Sequence, residues 1–153
     1  MKIVTSGKRK TSIAKAIITE GDGKVFVNKK NYKFLQNFDK FKIEEPLRIA
    51  ENVLGKNKIN FNVLIDVKGG GEKSQIDAAR LALAKSIIKF SNSKELRDVY
   101  ITYDRSLLVA DIRRKETKKP GDSKARAKRQ TSYRWLQKKS PMFYSNYFQL
   151  NQI

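Results

Sequence analysis

The chain is 153 residues long, enough for one domain with appendages, and its 34 Lys or Arg against 15 Asp or Glu give a formal charge of +19. Such an excess predicts a polyanionic partner, whereas the absence of Cys and His from the sequence excludes disulfides, thiolate metal sites and the commonest acid–base group. Because no apolar run reaches the length of a membrane span and no hydrophobic signal segment stands at the N-terminus, we expect a soluble, intracellular protein.

The first predicted elements are two strands and a helix. The apolar, β-branched run Ile13–Ile18 is typical of a strand, and Gly21-Asp22-Gly23 after it indicates a turn. Lys24–Asn28 is then predicted to be the hairpin partner of that strand. The stretch Glu45–Leu54 carries apolar residues at helical spacing, and Pro46 favours a helix start there.

Three further elements are predicted before the composition changes. Phe61–Val67 alternates apolar and polar residues, as a strand with one buried face does. After three glycines, the apolar stripe of Ser74–Phe90 predicts the clearest helix of the chain, with Ser74 and Asp77 in capping-box spacing. Ser93–Tyr103 is predicted to be a short helix or a helix-to-strand corner.

The composition changes after residue 111. Residues 112–134 contain ten Lys or Arg and two acids, a net charge of +8 in 23 residues. Such a segment buries too little apolar surface to offset its ordering entropy, so by itself we expect it to be disordered. It is either a solvated basic linker or, on a basic domain, an RNA-threading extension. The last nineteen residues contain five aromatic side chains: Trp135, Phe143, Tyr144, Tyr147 and Phe148.

Three regions are therefore predicted. Residues 1–111 form a globular RNA-binding domain, residues 112–134 form the basic extension, and residues 135–153 form an aromatic-rich terminal segment of unknown role.

A first candidate RNA-binding motif is Gly7-Lys8-Arg9-Lys10-Thr11-Ser12, with Lys15 just beyond it. Its cations can pair with phosphates, while backbone N–H groups and the hydroxyls of Thr11 and Ser12 add neutral donors. A charged strand end without a ligand explains the same residues equally well.

A second candidate motif is Gly69-Gly70-Gly71, between a predicted strand and a predicted helix. Glycines permit positive φ and the close approach of another backbone, and the helix start behind them offers unpaired N–H groups to a phosphate. The spacing is not that of a Walker loop. A tight strand-to-helix connection is an equally good interpretation.

The third candidate is the basic extension itself. Its cations are separated by small or polar residues, which suits a chain that lies between RNA backbones and releases counterions. Tyr133 and the arginines could also stack on unpaired bases. This chemistry leaves DNA open as the nucleic acid.

Four sequence strings, in this order and spacing, resemble the universal ribosomal S-nine family in its archaeal and eukaryotic form: SGKRKTSIAKA, VKGGGEKSQ, YDRSLLVADIRRKETKKPG and ARAKRQTSYR. The resemblance covers about residues 1–134. It implies an α/β two-layer domain of the ribosomal S-five domain-two type, with a mainly antiparallel sheet, helices on one face and a left-handed crossover. A long basic C-terminal extension follows that domain, and the implied location is the cytoplasmic ribosome.

The resemblance also implies partners and site residues. Members of the family bind small-subunit ribosomal RNA in the head of the subunit, beside neighbouring head proteins, and their extension reaches the peptidyl-site tRNA. The tRNA-proximal motif on this sequence is Ser132-Tyr133-Arg134. The expected RNA-binding residues are Lys8, Arg9, Lys10, Thr11, Lys15, Gly69, Gly70, Gly71, Gln75, Arg105, Arg113, Arg114, Lys115, Lys118, Lys119, Lys124, Arg126, Lys128, Arg129 and Gln130.

The sequence departs from the family pattern in two places. Glu72 and Ser74 stand where the family usually has an aromatic residue or His and then Gly, and the Glu72 carboxylate disfavours a close phosphate there. Arg134, the last residue in the family, is followed here by nineteen more residues. Those residues must leave the tRNA site without blocking it.

Two other classes of function fit part of the sequence. An RNA-processing enzyme subunit would need a carboxylate cluster or an acid–base pair, and neither Glu44-Glu45 nor Asp104 with Asp111 has such spacing. A histone-like nucleic-acid-compacting protein explains the charge but not the glycine loop. We therefore expect a structural ribosomal protein with no catalytic residue, metal, cofactor, membrane partner or small-molecule substrate.

Overall fold

A computed structural model describes residues 2–55, 60–118, 120 and 125–126. Residue contacts divide the chain into two compact units, residues 1–114 and residues 115–153. The helices and strands found among the described residues all lie in the first unit. None of the described helices is both long enough and apolar enough to cross a membrane.

Five strands of the first unit form one sheet in the order β1-β2-β5-β3-β4. Their bounds are β1 Lys2–Arg9, β2 Ser12–Glu20, β3 Val25–Val27, β4 Lys30–Asn31 and β5 Phe61–Lys68. Three of the strand pairs are antiparallel, β1 with β2, β2 with β5 and β3 with β4. The fourth pair, β3 with β5, is parallel.

Among the described residues, the first unit also contains three α-helices and two short 3₁₀ turns. They are the 3₁₀ turn Tyr32–Phe34, α1 Asn37–Leu54, α2 Glu72–Ser91, α3 Lys94–Tyr103 and the 3₁₀ turn Arg105–Leu107. Side chains alternate between buried and exposed along β2 and β5, as they do in a strand with one covered face. The buried apolar side chains of both strands belong to one core cluster that also contains residues of all three helices.

The sheet and α2 approach each other very closely at β1. The Thr5 hydroxyl donates to the Ala82 carbonyl of α2 over 3.0 Å. At Gly7, a Cβ would lie 2.2 Å from the carbonyl oxygen of Ala78 and 2.7 Å from the nitrogen of Ala82. Only glycine permits this approach of strand to helix backbone. The predicted α/β two-layer fold with a mainly antiparallel sheet is thus confirmed, with one parallel pair in it.

The predicted hairpin between the first apolar strand and residues 24–28 is wrong. β2 lies between β1 and β5 and pairs with each of them over eight residues, so it has no free edge for β3. The Gly21 N–H donates to the carbonyl of Asn60, and the Lys24 N–H donates to the side-chain oxygen of Asn62. These bonds carry the chain past the end of β5 to its far side, where the short strand β3 runs parallel to β5.

The predicted start of the first helix at Pro46 is also wrong. α1 begins at Asn37, and Pro46 lies buried inside it. Proline lacks the N–H that would bond four residues back, so its presence inside a helix has to be offset by other contacts. The buried Tyr100 hydroxyl of α3 donates to the Pro46 carbonyl over 2.6 Å, and Ile43, Leu47 and Ala50 share the buried face of α1.

The remaining element predictions agree with the structure to within two residues, but the predicted capping box does not. α2 begins at Glu72 with Gly71 as its N-cap, so Ser74 is the third helical residue. Its hydroxyl reaches back to the N–H and the carbonyl of Gly71. The Asp77 carboxylate instead pairs with Lys42 over 2.7 Å. The helix begins two residues before the predicted start. Gly71 has no side chain to cap it, and the Ser74 hydroxyl in the first turn makes the capping contact with the Gly71 backbone.

Candidate nucleic-acid interface

The two motifs singled out in the sequence meet at one end of the sheet. The β1–β2 turn brings Arg9 opposite Ser12, and Ile13 lies opposite Lys68 at the end of β5. The Ser12 hydroxyl donates to the Gly69 carbonyl over 3.0 Å and shares a 2.9 Å hydrogen bond with the Ser74 hydroxyl. We call this surface, formed by residues 8–15 and 68–71, the hairpin–glycine edge.

The glycine loop is shaped by its contact with the hairpin. Gly69 and Gly70 have φ angles of 77° and 69°, which glycine adopts without a steric penalty. A Cβ on Gly70 would lie 2.0 Å from the Ser12 Oγ, whereas a Cβ on Gly71 would meet no atom within 4 Å. The Gln75 side-chain amide donates to the Gly69 carbonyl over 3.1 Å. Gln75, which was predicted to bind RNA, therefore stabilises the glycine loop through this intramolecular hydrogen bond.

Four lysines of the hairpin–glycine edge are exposed, and three of them lie on the sheet face away from the helices. Lys8 and Lys68 flank Ile13 in one cross-strand row, Lys15 lies one row further along the sheet, and Lys10 occupies the turn. Within the described part of the chain, none of these four ammonium groups forms an ion pair with a carboxylate, although Asp66 lies opposite Lys15 in the β2–β5 pairing. A cluster of cations on one edge raises the local positive potential and attracts phosphates. Thr11 is exposed in the same turn.

Lys68, which directly precedes the three glycines, was not among the RNA-binding residues predicted from the sequence. The signal was present in the alternation of β5, which places Lys68 on the same exposed face as Leu64 and Asp66. Knowing that this face continues onto β1 and β2 required the strand register.

Arg9 differs from its neighbours, because it is half-buried and its partners are carboxylates. Its guanidinium pairs with Asp111 and lies 3.8 Å from the Asp77 carboxylate of α2. Asp111 also pairs with Arg113 over 2.9 Å. Hydrogen bonds from Arg113 and then from Arg9 hold the pKa of Asp111 well below its usual range. We call Arg9, Asp77, Asp111 and Arg113 the Arg9 cluster; it ties β1 and α2 to the segment where the basic extension begins.

The carboxylates considered for catalysis are held in ion pairs. Arg80 of α2 pairs with Glu45 over 2.7 Å and with Asp104 over 3.1 Å. Burial alone would raise the pKa of Asp104, but hydrogen bonds from Ser106 and Arg80 outweigh it and the pKa is lowered. Among the residues that the structure describes, no group of three or more Asp, Glu, His or Cys is placed to hold a metal ion.

The helix side of the glycine loop has a different character. A groove of about 390 Å³ is lined there by the exposed Phe34, by Asp39 and by Glu72, among others. The nearly buried Asp39 pairs with Lys73 over 3.1 Å, and the Glu72 carboxylate is exposed in the first turn of α2. A phosphate would therefore meet cations on the sheet side of the loop and carboxylates on the helix side.

The other predicted RNA-binding residues lie further along the chain. Arg105 and Arg114 are exposed in the first unit. In the second unit Lys115 and Lys118 are exposed, and Arg126 pairs with Glu116 over 2.5 Å. The remaining predicted residues lie outside the described residues: Lys119, Lys124, Lys128, Arg129, Gln130, Ser132, Tyr133 and Arg134.

Comparison with known proteins adds an independent finding. Residues 7–134 match the sequence model of the family described as ribosomal protein S9/S16. The chain is 49% identical over 138 residues to the small ribosomal subunit protein uS9 of Methanococcus vannielii, covering 88% of this chain and 100% of the relative. It is 42% identical over 137 residues to that of Thermoplasma volcanium, covering 86% of this chain and 98% of the relative.

Proposed function

Because the chain belongs to the ribosomal protein S9/S16 family and is thus a protein of the small ribosomal subunit, we propose that it binds small-subunit ribosomal RNA through the hairpin–glycine edge and the basic extension. Its role is to organise RNA and not to catalyse a reaction. A domain that neutralises phosphates at one edge is anchored there, and a cationic segment leading away from it follows the RNA backbone.

The observation that carries this proposal is the set of four exposed lysines at the hairpin–glycine edge, Lys8, Lys10, Lys15 and Lys68. Where a cation serves the fold, a carboxylate partner is found close by, as at Arg9 and Arg80. The four lysines have no such partner in the described chain, so their charge is available to a ligand. The exposed backbone of the loop and the Thr11 hydroxyl add neutral donors beside them.

The extension carries the second part of the proposal. The match to the family ends at residue 134, so Ser132-Tyr133-Arg134 is the last stretch shared with the family. We propose that Arg134 contacts the peptidyl-site tRNA and that the nineteen residues after it turn away from that site. Arg134→Ala in reconstituted subunits should then speed release of peptidyl-site tRNA, whereas Lys139→Ala in the terminal segment should not. Equal release rates would reject the tRNA contact.

The salt dependence of RNA affinity tests the role of the hairpin–glycine edge. The full chain is titrated against a transcript of the head domain of small-subunit ribosomal RNA at several salt concentrations, and the slope of log affinity against log salt is measured. Each phosphate contact contributes about 0.7–0.9 to that slope. Replacing Lys8, Lys10, Lys15 and Lys68 together with Gln should therefore lower the slope by about 3.

A matched variant controls for net charge. Lys24, Lys89, Lys94 and Arg97 are exposed at the other end of the sheet and helices, and their replacement with Gln removes the same charge. This control should change the slope by less than about 1, because long-range attraction is screened over about 8–10 Å. If both variants lower the salt slope by the same amount, the hairpin–glycine edge has no special role, and RNA affinity depends only on the net charge of the chain.

A further inference from the structure

The groove on the helix side of the glycine loop has the size and the mixed lining of a binding site. Its volume of about 390 Å³ is within the range of about 300–1,000 Å³ that is usual for small-ligand sites. The buried Val27 and Val67 contribute apolar surface to it, while Phe34 and Glu72 line it from exposed positions. Apolar walls with a few polar groups are typical of such sites.

The aromatic ring of Phe34 is available to a ligand in this groove. Phe34 is 86% exposed, so its ring adds little to the core of the first unit. It ends the 3₁₀ turn Tyr32–Phe34, which Asn31 caps by accepting from the Lys33 N–H over 3.0 Å. Unpaired nucleobases are flat, and they stack on exposed aromatic side chains of RNA-binding proteins. Phe34 therefore offers one wall on which a base can stack.

The polar side chains of the groove can recognise the edge of a base. The Asp39 carboxylate is already paired with Lys73 over 3.1 Å, whereas Glu72 is exposed and forms no ion pair with any other described residue. The Asn28 side-chain oxygen accepts from the Val67 N–H over 2.8 Å, which leaves the amide nitrogen of Asn28 to donate. An ionised carboxylate only accepts hydrogen bonds. Glu72 therefore favours a base with an exocyclic amino group, as in cytosine, adenine or guanine.

Cations for the phosphates of such a nucleotide lie beside the groove, in the turn between β3 and β4. Asn28 and Lys29 have φ angles of 48° and 67°, as in a tight two-residue hairpin turn, and Lys29 and Lys30 are exposed. The Asn28 N–H donates to the Ile65 carbonyl over 2.9 Å, which holds the turn at the end of the sheet where β5 leads into Lys68. Neither Lys29 nor Lys30 is in an ion pair with a described carboxylate. A nucleotide with its base in the groove can thus place its phosphates near these lysines.

Other occupants fit the groove less well. A phosphate inside it would face the Glu72 carboxylate. An apolar side chain of another protein would cover Glu72 and the Asn28 amide without offering them hydrogen bonds, and polar groups buried without partners are costly. A base meets both requirements, because its faces stack on an aromatic ring and its edge carries donors and acceptors.

We propose that the groove binds one unpaired nucleobase of small-subunit ribosomal RNA, stacked on Phe34 and donating from its amino group to Glu72. This inference rests on the proposed function and adds a base contact to the phosphate contacts of the hairpin–glycine edge. Phosphate contacts position an RNA without reading its sequence, whereas contacts to a base edge discriminate between bases. The Glu72 carboxylate, which disfavours a phosphate at the glycine loop, then selects the base that lies beside it.

Titration of the head-domain transcript tests the stacking contact. Phe34→Ala in the full chain should lower the affinity by about tenfold at every salt concentration, and the salt slope should not change because the ring carries no charge. Phe38→Ala is the matched control, since Phe38 is 80% exposed but does not line the groove. It should bind as the wild type does, and both variants should keep the wild-type thermal midpoint because both rings are exposed.

The two proposals can fail separately. Equal affinities of Phe34→Ala and Phe38→Ala would reject the base contact, whereas a change in the salt slope on replacing the four lysines would still support the hairpin–glycine edge. An unchanged slope in the lysine variant would reject that edge, and the affinity of Phe34→Ala would still decide on the groove.

Pentacytidylate and pentauridylate test the role of Glu72. Cytosine carries an amino group where uracil carries a carbonyl oxygen. A para-fluorophenylalanine at position 34 reports binding at the groove by fluorine NMR, so oligonucleotides on the basic extension do not contribute. Pentacytidylate should bind there about fivefold more tightly. Glu72→Gln should bind both equally, because an amide can turn either its N–H groups or its oxygen toward the base. Equal binding by the wild type, or the same preference in Glu72→Gln, would contradict the selection by Glu72.

Photo-cross-linking identifies the occupant in assembled subunits. A benzophenone side chain at position 34 of the full chain should cross-link to a nucleotide of ribosomal RNA in intact small subunits, whereas the same group at position 38 should do so far less. A cross-link from position 34 to another protein, or to a second copy of this chain, would overturn the proposal.

Discussion

The Gly70→Ala substitution tests whether the glycine loop and the hairpin turn are locked together as the structure shows. Gly70 has a φ of 69°, a conformation that costs a residue with a Cβ about 1–2 kcal/mol. The new Cβ would also lie 2.0 Å from the Ser12 Oγ and 2.8 Å from the Ser74 Oγ. Overpacking of this kind costs about 1–3 kcal/mol. The free energy of unfolding should therefore fall by about 2–5 kcal/mol.

The assay is thermal unfolding of the full chain, followed by far-ultraviolet circular dichroism. Unfolding entropy is about 2.1 cal/mol/K per residue, and the first unit has 114 residues, so the midpoint should fall by about 8–21 °C. Gly71→Ala is the matched control. Gly71 has a negative φ, and a Cβ at this position would have no atom within 4 Å. Gly71→Ala should therefore change the free energy of unfolding by no more than about 0.5 kcal/mol.

A double variant separates the two sources of the cost. Ser12→Ala removes the oxygen nearest to the new Cβ, so adding it to Gly70→Ala should recover part of the lost stability, although Ser12→Ala alone destabilises by losing its hydrogen bonds. Equal midpoints for Gly70→Ala and Gly71→Ala, or purely additive effects of Ser12→Ala and Gly70→Ala, would refute the reasoning.

Two further predictions concern the ionised groups. In a double-mutant cycle of Arg9→Gln and Asp111→Asn, the effects on the unfolding free energy should be non-additive, because the two side chains pair directly; Lys10→Gln combined with Asp111→Asn should be additive, and non-additivity there as well would contradict a specific pair. Asp111 and Asp104 have pKa values below their usual range in the folded chain, so the stability they contribute is present above the unfolded value of about 3.9 and is lost as the pH falls below about 4. Urea unfolding at pH 6 and pH 3 should show this loss, and Asp111→Asn should reduce it; the same pH dependence in that variant would exclude Asp111 as a cause.

Some elements were predictable from the sequence because the apolar and polar residues within the element itself are enough to identify it. β5 alternates because it meets the core with one face and solvent with the other. α2 is buried along most of its length, and its many apolar residues at helical spacing made it recognisable as a helix. The sequence also predicted a short helix or a helix-to-strand corner where α3 lies, and it placed the glycine loop between β5 and α2. Lys8, Lys10 and Lys15 were also predictable as candidate RNA-binding residues. An excess of positive charge at the end of a strand can be recognised without knowing which other segments pack beside it.

The tertiary structure decided the features that depend on residues far apart in the chain. β3 pairs with β5 and not with β2, because β2 already has β1 and β5 on its two edges. Arg9 faces Asp111, 102 positions away, so its charge serves the fold while the charge of Lys10 beside it stays available to a ligand. Lys68 joins Lys8 only through the register of three strands. Local patterns specify which face of an element is buried, but which segments meet depends on pairing and packing across the whole domain.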